Sequence, residues 1–247
     1  MRHNGSFLHP RTRPSSSSAK AVWGLREAFE AQGVAEWPAP ASNYYVVNQV
    51  GVLGSYSFIT SFNSGTFPTS AGQSIAVYVG WYTTATVTVT DSMGNTYTPC
   101  TAVSATGPTK GQWFYCLNIG SSSSSNVITV TFSTASDYTT GQFILLGGGT
   151  LKQFDTQASG TATGTSVTSA SFNTSADGIV LVARTAYNAQ TSSSWSSPYT
   201  AINAFPVPTQ LYCSSAQNAF TSAQSGITVT ETGNSSINRA LAVLALK

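Results

Sequence analysis

Thr69-Ser70-Ala71-Gly72-Gln73-Ser74-Ile75-Ala76-Val77 is answered later in the chain by Thr174-Ser175-Ala176-Asp177-Gly178-Ile179-Val180-Leu181-Val182. Both copies leave turn residues for a β-branched, apolar run, the pattern of a buried strand. Three further landmarks recur in the same order: Tyr97-Thr98 with Tyr199-Thr200, Phe114-Tyr115-Cys116 with Leu211-Tyr212-Cys213, and Ile128-Thr129-Val130-Thr131 with Ile227-Thr228-Val229-Thr230. Each half closes on an apolar strand, Phe143 to Leu146 and Leu241 to Leu246. Ordered recurrence at one spacing predicts two duplicated halves, about 44–147 and 151–247.

Strands are expected over Tyr56–Phe62, Ser74–Tyr82, Ala85–Thr90, Thr96–Val103, Gln112–Leu117, Val127–Phe132 and Gln142–Leu146. Asp91-Ser92-Met93-Gly94-Asn95, between Thr88-Val89-Thr90 and Thr96-Tyr97, reads as the loop of a hairpin. The fold class is therefore all-β, a jelly-roll-like or Ig-like β-sandwich. Each half can form its own sandwich, or the halves can be the two sheets of one. The single sandwich over 41–247 is favoured, because the connection from Gly147 to Thr168 alternates Thr and Ser without a Pro-rich linker.

Composition agrees. Hydrophobic residues make up 41% of the 247 residues and charged ones 7%, against roughly 25% charged in an average soluble domain. The polar surface must then be Ser, Thr, Asn and Gln, which suit pleated surfaces and turns. The first 26 residues carry Arg2, Arg11, Arg13, Lys20 and Arg26 and no acid. Residues 1–40 read as a basic arm followed by one short helix: Ser18 caps it, Val22, Leu25 and Phe29 form its stripe, and Gly33 stops it. So short a helix needs something to dock on, its own sandwich or a partner subunit. The N-terminus lacks the apolar core of a signal peptide, and no stretch approaches the ~18 apolar residues of a membrane span. Synthesis in a cytoplasm without a membrane association is the expectation.

The chemistry of catalysis is sparse. His3 and His9 both lie in the arm, which takes the commonest general base and zinc ligand out of the folded region. The acids after residue 40 are Asp91, Asp137, Asp155, Asp177 and Glu231, and Asp91 and Asp177 sit at turns beside glycine. Asp91 with Asn95 is too thin a set for calcium, and Gly147-Gly148-Gly149 is followed by no Lys-Ser/Thr of a phosphate loop. No enzymatic activity, cofactor or metal is expected. Cys100 and Cys116 flank Pro108 symmetrically, so a hairpin turning over Ala105–Gly111 would set them opposite each other. They are then either a tight cross-strand disulfide or two reduced thiols, and a reducing cytoplasm favours the thiols.

Trp81, Tyr82, Trp113, Tyr115, Trp195 and Tyr199 are the aromatic candidates for stacking on a sugar ring. Alternation within strands sends most of them to the core. Trp195, between Ser194 and Ser196 in a loop-like run, with Tyr199, is the expected surface pair. Nucleic-acid binding is disfavoured, because the sandwich is neutral and the arm alone could meet phosphates.

Two stretches resemble known families. Ala21-Val22-Trp23-Gly24-Leu25-Arg26-Glu27-Ala28-Phe29-Glu30-Ala31-Gln32-Gly33, closing with Glu36-Trp37-Pro38, resembles a connector of tailed-phage structural and fibre-like proteins. Ser74–Trp81, Asp91–Tyr97, Gln112–Cys116 and Asn126–Thr131 resemble a widespread family of phage and bacterial surface domains. The resemblance implies a virion or surface accessory and supplies no catalytic residue. The expectation is a virion structural protein of a tailed phage, a tail fibre or tip component or a capsid decoration protein. Arg11, Arg13, Trp23, Leu25, Phe29 and Trp37 would anchor it to capsid or tail proteins, and a homo-oligomer, a trimer, is guessed by analogy. The alternative is a lectin-like adhesin for a host-surface glycan, carried by Trp195 and Tyr199. A bacterial surface protein is a third reading, disfavoured by the missing signal peptide.

Overall fold

Ser74–Tyr82 forms a strand over its expected span and lies at the centre of the molecule, because both of its faces are apolar and both find a sheet to cover them. The computed structural model describes residues 44–53, 58–148, 151, 153–175, 177–187, 192–206 and 211–247. The expected arm and helix, with Arg11, Arg13, Trp23, Leu25, Phe29 and Trp37, lie outside them.

Among the described residues every regular element is a strand. The first half holds β1 (Tyr45–Leu53), β2 (Ile59–Thr66), β3 (Ser74–Tyr82), β4 (Val87–Asp91), β5 (Thr98–Pro99), β6 (Val103–Ser104), β7 (Thr109–Cys116), β8 (Val127–Ser136) and β9 (Thr140–Gly147). The second holds β10 (Phe154–Thr168), β11 (Phe172–Thr174), β12 (Gly178–Tyr187), β13 (Ser193–Trp195), β14 (Thr200–Pro206), β15 (Leu211–Phe220), β16 (Gln224–Ile227) and β17 (Thr230–Leu246). In the first half a large sheet ordered β1-β9-β3-β7-β5, with β6 beside β7, is accompanied by the small sheet β2-β8-β4. In the second, β10-β17-β12-β15-β14, with β13 beside β17, is accompanied by β11-β16.

The five-strand paths of the two large sheets match in order. Ile75 on β3 faces Leu145 and Cys116, as Val180 on β12 faces Ala245 and Asn218. Descent of both halves from one duplicated unit is our proposal for the origin of this match. One landmark of the sequence repeat slips: Cys116 stands level with Asn218, five residues beyond Cys213. Phe114-Tyr115-Cys116 and Leu211-Tyr212-Cys213 share an aromatic-plus-cysteine look but not a register.

Alternation along the central strands builds three cores in four layers. Ile75, Val77 and Val79 point at the first half's small sheet and pack with Val130, Phe132 and Phe143. Val180 and Val182 point at the second half's small sheet with Val229, Leu241 and Val243. Between the large sheets, Ala76, Tyr78, Trp113, Ile144 and Leu146 meet Ile179, Leu181, Ala183, Leu244 and Leu246. The favoured single sandwich is thereby corrected. Among the described residues no strand pairs across the halves, so each half is a sandwich of its own, yet the two share a dry interface and Ser42–Lys247 is one compact unit.

That interface is anchored by Tyr78 and Thr185, whose hydroxyls bond at 2.9 Å, and by Trp113 Nε1, which donates to Ala242 O at 3.0 Å. Gly80 permits the approach, since a Cβ there would lie 2.5 Å from Thr185 Oγ1. The halves face each other about an approximate two-fold relation: β1 lies over β14, and β10 lies over β6 and the residues that follow β5.

Two local readings are also corrected. Asp91–Asn95 is not a hairpin loop: β4 pairs with β8 and β5 with β7, so the chain crosses here from the small to the large sheet. Tyr97 drives the crossing by burying its ring in the core between them. The hairpin from β6 into β7 does turn over 105–109, but Cys100 N bonds Trp113 O rather than facing Cys116. Cys100 packs on the shared core and Cys116 in the first half's own core, on opposite faces of the sheet, and all three cysteines are free.

Candidate functional site

Of the expected glycan pair, Tyr199 retains 8% of its surface and belongs to the second half's core. Trp195 lies on β13, not in a loop, and packs against the same core. Tyr199 is thus a core residue and Trp195 a half-buried one, so the expectation of a pair of surface rings is corrected at Tyr199. The cause is the short β13–β17 pairing, which turns a serine-flanked run into a core lid. Trp81 and Trp113 are buried as expected.

A stacked, partly accessible aromatic pair occurs where the halves meet. Tyr115, on β7, and Phe154, on β10, stack with centroids 5.7 Å apart and planes 15° from parallel. With Pro99, Cys100, Thr101 and Gln157 they line an open cleft of about 290 Å³, near the lower end of small-molecule sites. Phe154 keeps 37% of its surface exposed. Gln157 bridges the halves, its Oε1 accepting from Thr101 N at 2.9 Å and its Nε2 donating to Thr101 Oγ1 at 2.8 Å. Burial pushes the Cys100 thiol up to about 12, so it lines the cleft as a neutral group and not as a nucleophile. Burial, then Cys100, also raises the Tyr115 phenol, against a hydrogen bond with Thr98. Among the described residues no charged side chain lines the cleft. Its chemistry is a flat apolar face beside amide and hydroxyl groups.

The two-fold relation provides an internal control. Gln49 pairs with Ile144 as Gln157 pairs with Leu244, and Gln49 Nε2 donates across the halves to Ile202 O at 3.0 Å. The glutamine bridge therefore belongs to the frame. The aromatic pair does not: Gln217 stands where Tyr115 does, and Val46 where Phe154 does. At these positions, among the described residues, the stacked pair occurs in the cleft beside β5.

A second aromatic group joins Tyr82, Tyr138 and Tyr187. Tyr82 and Tyr187 stack at 4.2 Å, and Tyr138 meets both at steep angles. Tyr138 has φ of 45°, a left-handed conformation that costs a non-glycine residue of order 1–3 kcal/mol. Burial and the neighbouring Tyr82, Tyr138 and Asp137 raise the Tyr187 phenol.

Three of the five carboxylates after residue 40 are engaged structurally. Asp91 Oδ1 accepts from Met93 N and Asn95 N, and Oδ2 accepts from Asn95 Nδ2, Tyr97 OH and Asn126 Nδ2. Asp155 takes Ser175 and pairs with Lys247. Glu231 is buried between Arg184 and Arg239. Among the described residues no group of His, Cys, Asp and Glu is arranged to hold a metal ion.

The architecture defines a class, an all-β double sandwich with a neutral aromatic cleft between its halves. No family model matches the chain, and no curated protein or solved structure gives a significant match.

Proposed function

We propose that this chain is a non-enzymatic structural protein of a tailed-phage virion, anchored through residues 1–40 and projecting the double sandwich as a tail fibre or tip component or a capsid decoration. The observation that carries this reading is the engagement of Asp91, Asp155 and Glu231 in structural bonds while aromatic and amide groups occupy the open cleft. Such a surface suits recognition and assembly better than proton transfer. The sequence resemblance to phage connectors and surface domains supports the same reading. Deleting residues 1–40 is expected to leave the sandwich folded and to abolish incorporation into particles. Unchanged incorporation, read by electron microscopy of the particle, would reject the anchor.

The stacked Tyr115 and Phe154 favour a second reading, a lectin-like adhesin, with the glycan site at this cleft. A ring face beside Thr101 and Gln157 fits an uncharged polyhydroxylated ligand. Phe154→Ala should lower host attachment without lowering the unfolding midpoint; equal attachment would remove the cleft from the mechanism.

A further inference from the structure

Arg184, on β12, points away from the shared interface into the second half's sandwich, and its side chain is fully buried. Its guanidinium lies over the Tyr212 ring, Cζ 4.5 Å from the centroid. Nη2 donates to Glu231 Oε1 at 2.7 Å, and Arg239 Nη1 donates to Glu231 Oε2 at 2.8 Å. Ser193 Oγ adds a 2.7 Å bond to the same carboxylate. Arg239 directs its other donors to Gly164 O and Ser235 O. Arg184 Nε and Nη1 have no hydrogen-bond partner among the described residues.

Among the described residues Glu231 is the one carboxylate that meets the Arg184 side chain, and Arg239 shares it, so half a counter-charge at most answers the buried Arg184 guanidinium. Arginine does not relieve this by losing its proton, and an uncompensated charge in a low-dielectric interior is far costlier than a missing hydrogen bond. The other half shows that the fold does not require it. Val79 and Phe132 stand at the matching places and pack as ordinary core.

We propose that Arg184 Nε and Nη1 bind a small monovalent anion, a halide, inside the second half. Complete burial limits the occupant to a few atoms. A water molecule would satisfy the two donors and leave the charge, whereas a halide answers both. The site goes beyond the virion reading and does not depend on it.

The test uses the full chain. Its unfolding midpoint is measured in sodium bromide, sodium chloride and sodium gluconate at equal ionic strength, and crystals grown in bromide are searched for anomalous scattering. A midpoint that is higher in both halides and climbs with the logarithm of halide concentration is expected, with an anomalous peak within hydrogen-bonding distance of Arg184 Nε or Nη1. Equal midpoints in the three salts, or a site without anomalous signal, would overturn the proposal. Arg184→Met should abolish the halide response; if that variant does not fold, the wild-type bromide crystal decides.

Discussion

Tyr82 and Tyr187 stack with ring centroids 4.2 Å apart and planes 20° from parallel. They occupy matching positions at the ends of β3 and β12, one from each half, so the contact closes the two-fold relation at one end of the shared interface. Tyr82→Ala and Tyr187→Ala should couple by about 0.5–1.5 kcal/mol in a double-mutant cycle read by urea unfolding. Strict additivity would show that the stacking contributes nothing.

Glu231 is the counter-charge for two buried arginines, so Glu231→Gln should cost about 3–5 kcal/mol. Replacing the triad together, with Arg184→Val, Glu231→Phe and Arg239→Met, imitates the Val79 and Phe132 packing of the first half. The triple variant should recover most of that loss in chemical denaturation. A triple variant as unstable as Glu231→Gln would mean that the triad also sets the local backbone.

Thiol ionisation predicts alkaline sensitivity. Burial raises Cys100 to about 12 and Cys213 to about 12, and burial with the Asp91 charge raises Cys116 to about 11. A free cysteine in an unfolded chain titrates near 8.5. The stabilisation of the neutral thiols is fully present below that value and is lost as pH rises toward the folded values. Unfolding free energy should fall above about pH 8.5, and less so in a variant with all three cysteines changed to Ala. The midpoint should be the same with and without reductant, because Cys100 and Cys116 lie on opposite faces of their sheet.

Asp91 gives the acid limb. Burial alone would raise its carboxyl, but the hydrogen bonds from Asn95, Asn126 and Tyr97 outweigh that and hold it below the usual range. A lowered folded value means stability present above the unfolded pKa of about 3.9 and lost as pH falls through the folded one. Asp91→Ala should destabilise at neutral pH by roughly 1–3 kcal/mol and flatten the acid limb of a stability profile. A profile unchanged in shape would place the acid response elsewhere.

Local patterns located the strands well. Ser74–Tyr82 is read to the residue, and Gln112–Leu117, Val127–Phe132 and Gln142–Leu146 fall on β7, β8 and β9. In the sequence β10 shows only Thr/Ser alternation, since an edge strand with exposed alternate residues carries little apolar signal. The cleft stayed hidden for the same reason: Phe154 gains a role only when β10 is laid beside β7 of the other half. Asp91–Asn95 carries genuine turn chemistry, but burial of Tyr97, not the turn, sets which sheet the chain enters. Trp195 misled because a three-residue strand flanked by serines looks like a loop.

Composition, turn residues and the apolar runs were sufficient to determine an all-β chain, because strand formation depends on side-chain alternation and local turn geometry. Tertiary structure alone decided that the halves share a third core, that Tyr115 and Phe154 stack in a groove between them, and that Arg184, Glu231 and Arg239 meet in the interior. These outcomes rest on pairings between residues far apart in the chain, where register and burial, rather than the identity of neighbours, set which side chains touch.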